Sequence, residues 1–123
     1  MKSDKDNFKT ELKQRMYQWT LRLIGMLDHL SKERSSDVIS NQLLRSGTSV
    51  AANYIEAQAA SSRKDFINYL HHALKSANES KYWLALLRDT KKADQNQVQV
   101  VLDELIQIAN ILGSSLMTLK NKR

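Results

Sequence analysis

No cysteine and no proline occur among the 123 residues, and only three positions are glycine. The missing cysteines exclude disulfide frameworks, thiol nucleophiles and cysteine-based metal sites, and they fit a reducing compartment. The missing prolines remove the strongest helix breaker from a chain rich in Leu, Ala, Lys, Gln and Ser, so composition predicts an all-α protein. No apolar run approaches the roughly 20 residues a membrane span requires. The charged stretch from Met1 to Phe8 lacks the apolar centre of a signal peptide. The expectation is therefore a soluble, cytoplasmic protein with no membrane partner. A chain of this length forms one domain, burying roughly two-thirds of the surface exposed when unfolded.

What is present in excess is positive charge, with a formal net charge of +6 and a pI near 9.7. Lys2 to Arg34 carries eight basic and five acidic residues, and Arg63 to Lys92 carries seven basic and three acidic. The segment between them is slightly acidic and the last is balanced. Lysines and arginines release counterions when they bind phosphates, so the first and third segments are where a polyanion would be met.

Four helical segments follow from apolar periodicity, at about 7–30, 37–60, 64–89 and 95–119. The first has the stripe Leu12, Met16, Trp19, Leu23, Leu27 and Leu30, widened by Leu21, Ile24 and Met26. Ser36 or Asp37 is placed to cap the second, and Ser62 with Asp65 three residues later to cap the third. The third carries Phe66, Leu70, Ala73, Ala77, Leu84 and Leu87, and its last turn holds cations that favour the negative end of the helix dipole. Asp94 or Asn96 opens the fourth, whose stripe from Val98 to Leu119 is the most regular. Lys120 to Arg123 forms a basic tail. Short connections between helices of similar length predict an antiparallel up-down-up-down four-helix bundle about 35 Å long.

The second helix organises the rest. Leu43, Gly47, Val50, Tyr54 and Ala57 share one side at steps of three and four, while Arg45, Ser49, Asn53 and Glu56 lie nearly opposite. Small residues occur almost all round it, and small side chains let neighbouring backbones approach. The bundle is expected to cover one flank and another subunit the other, making Arg45, Gly47, Ser49, Asn53 and Glu56 a subunit interface or a buried polar stripe that must be hydrogen-bonded. Gly47 costs about 1 kcal/mol relative to alanine inside a helix, which calls for a packing reason.

The run Gln42-Leu43-Leu44-Arg45-Ser46-Gly47-Thr48-Ser49-Val50-Ala51-Ala52-Asn53, then Glu56-Ala57, Lys64-Asp65-Phe66, and Glu79 with Tyr82-Trp83-Leu84 resembles a bacterial family of four-helix bundles, the proteins encoded in intervening sequences of 23S ribosomal RNA genes. The resemblance implies an antiparallel four-helix bundle that assembles as a homo-oligomer, a pentamer. The chain is similar, more distantly, to accessory proteins of diversity-generating retroelements, which are basic pentameric barrels associated with nucleic acid and a nucleic-acid enzyme, a reverse transcriptase. No catalytic residue is carried over.

A search for chemistry finds little. His71 and His72 are adjacent on a helix and point about 100° apart, poor geometry for shared metal ligation. His29 has Asp28 beside it, but no Glu, Asp or His at a helical step within its helix. There is no phosphate-binding glycine loop and no nucleophile elbow. The expectation is a non-enzyme with no cofactor and no metal. Trp19 and Phe66 fall on core stripes, whereas Tyr82-Trp83 cannot both face one core line. With Lys75, Lys81 and Arg88 close in sequence, Trp83 becomes a candidate for contact with RNA, DNA or a partner. Lys9, Lys13, Arg15 and Arg22 of the first helix extend the candidate surface. The functional expectation is an oligomeric scaffold presenting a basic surface to nucleic acid; the alternative is a protein–protein adaptor that binds none.

Overall fold

A computed structural model of the chain describes residues 3–121 and contains four helices: α1 (Asp4–Asp28), α2 (Arg34–Gln58), α3 (Arg63–Asp89) and α4 (Gln95–Asn121). Lys122 and Arg123 of the basic tail lie outside the described residues. Helix α1 begins earlier than its apolar stripe, because Ser3 caps it by accepting from the Asp6 backbone N–H at 3.2 Å. Helix α2 likewise starts ahead of Ser36 and Asp37, with Glu33 at its N-cap. Ser36 is no cap. Its hydroxyl is buried and has no hydrogen-bond partner among the described residues. Ser62 does cap α3, accepting from the Asp65 N–H at 3.1 Å. Asp94 accepts from the Asn96 N–H at 3.0 Å at the start of α4. Helix α3 ends in a Schellman turn, in which the Lys92 N–H reaches the Leu87 carbonyl and the Lys91 N–H that of Arg88. Lys91 supplies the left-handed residue, at φ 59°, where glycine is usual.

Each helix packs on its chain neighbours and α1 closes the bundle against α4, with no close backbone approach between α1 and α3 or between α2 and α4 among the described residues. The result is an antiparallel four-helix bundle in which α1 and α3 are diagonal. The predicted stripes form its core: Leu12, Met16, Trp19 and Leu23 from α1, the Leu43–Gly47–Val50–Tyr54–Ala57 side of α2, and Leu70, Ala73, Ala77, Leu84 and Leu87 from α3 are all buried. Leu21 does not widen the α1 stripe; it is 47% exposed. Helix α4 is long and apolar enough by length and composition to cross a membrane, contrary to the reading of its sequence. In the bundle, Val98, Val101, Leu102, Leu105, Ile108, Ala109, Leu112 and Leu116 are buried against the other helices, while Val100, Ile106 and Met117 of the same helix are exposed.

Two small residues of α2 are accounted for inside one chain. A Cβ at Gly47 would overlap Leu23 Cδ2 and lie 3.3 Å from Trp19 Cη2, so the missing side chain sets how close α1 comes to α2. Trp19 is fixed in turn by its Nε1, which donates to the Val101 carbonyl of α4 at 2.9 Å. Toward α3, the buried Ser46 and Ser80 hydroxyls meet at 2.8 Å, and Ser80 also donates to the Ser76 carbonyl at 2.8 Å. A close-packed helix pair thus tolerates polar groups because they satisfy each other. Lys92 and Glu33 tie the loops together at one end of the bundle, and at the other Arg63 donates to the Leu119 carbonyl.

Candidate functional site

The residues that carry the family resemblance come from two helices and meet on the α2–α3 surface. Arg45 donates to Gln42 Oε1 at 2.9 Å and to Glu79 Oε2 at 3.3 Å, and the same Glu79 oxygen accepts from Trp83 Nε1 at 2.9 Å. Tyr82 lies edge-on to Trp83, with ring centroids 5.1 Å apart. The indole is thereby oriented by a carboxylate one turn earlier and leaves Tyr82 outermost, 59% exposed. The Arg45 and Glu79 side chains are 68% and 39% exposed, so their attraction is screened and contributes about 0–1 kcal/mol. The arrangement orders a surface more than it stabilises the fold.

The five residues assigned to one stripe on α2 divide. Gly47 is buried toward α1. Arg45 and Glu56 are exposed, and Ser49 and Asn53 are half-buried. The polar groups of the last two turn back on their own helix, Ser49 Oγ donating to the Arg45 carbonyl at 2.8 Å and Asn53 Nδ2 to the Ser49 carbonyl at 2.9 Å. Beside them Leu44 and Ile55 are exposed, eleven positions apart and so close to one line along the helix. The outward face of α2 therefore combines apolar, small and self-satisfied polar groups.

The candidate cations fall into two classes. Arg15 is anchored to α4: its Nε and Nη2 donate to the two Glu104 carboxylate oxygens at 3.1 and 2.6 Å, and Nη2 also donates to Gln107 Oε1 at 2.9 Å. The Glu104 hydrogen bonds raise the Arg15 pKa further above its ordinary value. Arg88 is held by Asp89 Oδ1 at 2.8 Å and Gln99 Oε1 at 3.1 Å, and its hydrogen bond keeps the Asp89 carboxyl below the usual carboxylate range. Lys9, Lys13, Arg22, Lys75 and Lys81 make no ion pair among the described residues. Lys9 and Lys13 lead along α1 to Tyr17, 60% exposed, at steps of four. Because α1 and α3 are diagonal, these lysines and the Lys75 and Lys81 pair belong to separate patches of one chain. Nothing in the sequence signalled Glu104 as the partner of Arg15, since 89 positions separate them.

Among the described residues no three His, Asp or Glu side chains converge as metal ligands would. His29 Nδ1 lies 2.7 Å from the Gly25 carbonyl, and His72 packs edge-on to Tyr69. A cleft between α1 and α4, about 410 Å³, contains Asp103 and Glu104. Glu104 is engaged by Arg15.

A profile for 23S rRNA-intervening sequence proteins matches residues 9–114. Among curated proteins none matches. The chain is similar to a crystallised protein of unknown function from the S23 ribosomal protein family of Bacteroides thetaiotaomicron, at 39% identity and a TM-score of 0.79, over 85% of this chain and 97% of that one. The extent of both matches places the chain plainly: it belongs to the family of 23S rRNA-intervening sequence proteins.

Proposed function

We propose that this protein is a non-enzymatic, cytoplasmic assembly protein that self-associates through the outward face of α2 and presents its uncommitted cations to RNA or DNA. The observation that supports the nucleic-acid half is the division of the basic residues. Arg15 and Arg88 are consumed by internal partners, whereas Lys9, Lys13, Arg22, Lys75 and Lys81 have no anion among the described residues to give up before meeting a phosphate. Two separate patches per chain become useful when copies repeat, because weak sites on one assembly act together. The family resemblance points to a pentamer, and the more distant similarity to retroelement accessory proteins to a nucleic-acid enzyme as a further partner. The assembly half rests on Leu44 and Ile55, exposed beside small residues that allow close approach. That same surface favours the adaptor as the second reading, with a different protein seated on α2.

Filter binding of single- and double-stranded RNA and DNA over a range of salt tests the proposal. Engagement of the two α1 lysines alone gives a slope of log affinity against log salt of about −2, and all five cations about −4 to −5. No retention of any nucleic acid at low salt refutes this half. Light scattering tests the other: Leu44→Asp with Ile55→Asp is expected to yield monomers from a larger native species, and a native monomer refutes it.

A further inference from the structure

The described residues leave the end of the bundle where α1 and α3 begin and α2 and α4 finish unfilled. A cleft of about 850 Å³ opens there, a size ordinary for a small-molecule site. Along α4 it runs from Asn110 to Leu119, about 13 Å at the helical rise, so it is long as well as wide. Its walls are formed by Leu12, Phe66, Leu70, Ile111, Leu112 and Tyr54.

Two independent features point to a ligand. Tyr54 is only 4% exposed, and its hydroxyl takes part in no hydrogen bond among the described residues, whereas buried tyrosines ordinarily find a partner. The hydroxyl is not sealed in, since Ser36 Oγ is the one unpartnered side-chain atom so enclosed among the described residues, and Tyr54 lines the cleft. The second feature is charge. Lys5 and Lys9 line the cleft one turn apart on α1, neither makes an ion pair among the described residues, and Arg63 lines it as well. No Asp or Glu lines it among the described residues.

We propose that this cleft binds a long-chain carboxylate, its hydrocarbon chain among Leu12, Phe66, Leu70 and Ile111 and its head group at Lys5 and Lys9, with the Tyr54 hydroxyl as a polar contact in a mainly apolar wall that also carries Gln58, Asn110 and Ser114. An elongated, mainly apolar groove selects a chain, and a rim with cations and no Asp or Glu among the described residues selects an anion over a neutral or cationic amphiphile. The proposal goes beyond nucleic-acid binding and does not depend on it.

Titration of the full chain with cis-parinaric acid, read by its fluorescence, tests the assignment. The expected result is saturable binding of one probe per chain, displaced by oleate and at least about tenfold less well by oleyl alcohol, which lacks the charge. Lys5→Glu with Lys9→Glu is expected to weaken binding about tenfold, both positions being on the surface of α1. Tyr54→Phe is expected to weaken it several-fold while leaving the melting temperature unchanged or higher, since the hydroxyl has no protein partner to lose; a purely structural tyrosine would not show that split. Absence of saturation overturns the proposal, as does saturable binding that neither variant alters. Loss of nucleic-acid retention with probe binding intact leaves it standing.

Discussion

Replacing Gly47 by alanine sets two known effects against each other. Alanine inside a helix is favoured over glycine by about 1 kcal/mol, so propensity alone predicts a more stable protein. The new methyl, however, would overlap Leu23 Cδ2 and press on Trp19 Cη2 at 3.3 Å. Neither neighbour yields freely. Leu23 is fully buried, and Trp19 is pinned by its 2.9 Å hydrogen bond to Val101. Overpacking of this kind costs about 1–3 kcal/mol, and driving Leu23 off its rotamer a further ~0.5–1.5 kcal/mol. The net expectation is destabilisation by about 1–2 kcal/mol, a fall of several degrees in melting temperature. Gly113→Ala is the internal control, because nothing lies within 4 Å of a Cβ there and it should keep the propensity gain of about 0.5–1 kcal/mol. Urea unfolding followed by far-ultraviolet circular dichroism, at one fixed protein concentration, compares the two. A Gly47→Ala protein at least as stable as Gly113→Ala would falsify the account of α1–α2 packing.

Ser36→Ala is expected to stabilise by about 1 kcal/mol in the same unfolding assay, since it removes a buried hydroxyl with no partner; a loss of stability would mean that the hydroxyl is satisfied. At the α2–α3 contact, Ser80→Ala should cost about 1–2 kcal/mol and Ser46→Ala less, because Ser80 keeps its bond to Ser76 whereas Ser46 is left with only a long contact to Leu43 at 3.4 Å. Additive losses in the double-mutant cycle would count against a shared hydrogen bond. Lys91→Gly relieves the left-handed residue of the Schellman turn and should raise stability by about 1 kcal/mol, measured as a shift in the urea midpoint. Arg15→Ala is expected to lower stability by about 1 kcal/mol and leave nucleic-acid affinity and its salt slope unchanged, while Lys9→Glu with Lys13→Glu reduces affinity and leaves stability unchanged. The reverse pattern in filter binding would reject the division of the cations.

The apolar stripes of α1 to α4 were readable because a core residue in a bundle repeats at the helical step, and that spacing is local. The Ser62 cap could be read for the same reason, since its partner Asp65 stands three residues away. The starts of α1 and α2 were placed too late: Ser3 and Glu33 lie before the first apolar residue, and helix propagation needs no apolar side chain. Leu21 was misplaced because apolarity was taken for burial, although much of any protein surface is apolar.

Composition and periodicity by themselves determined that this chain is helical, how many helices it has, and which side of each turns inward. Tertiary structure alone decided that the two basic helices are diagonal, that Glu104 takes Arg15 out of the candidate surface, that Glu79 gathers Arg45 and Trp83, and that Gly47 answers to Trp19 and Leu23. The reason is range. A helix face is set by neighbours three and four residues away, whereas each of these pairings, the local Glu79–Trp83 bond aside, joins different helices and depends on their rotation and separation once the core has closed.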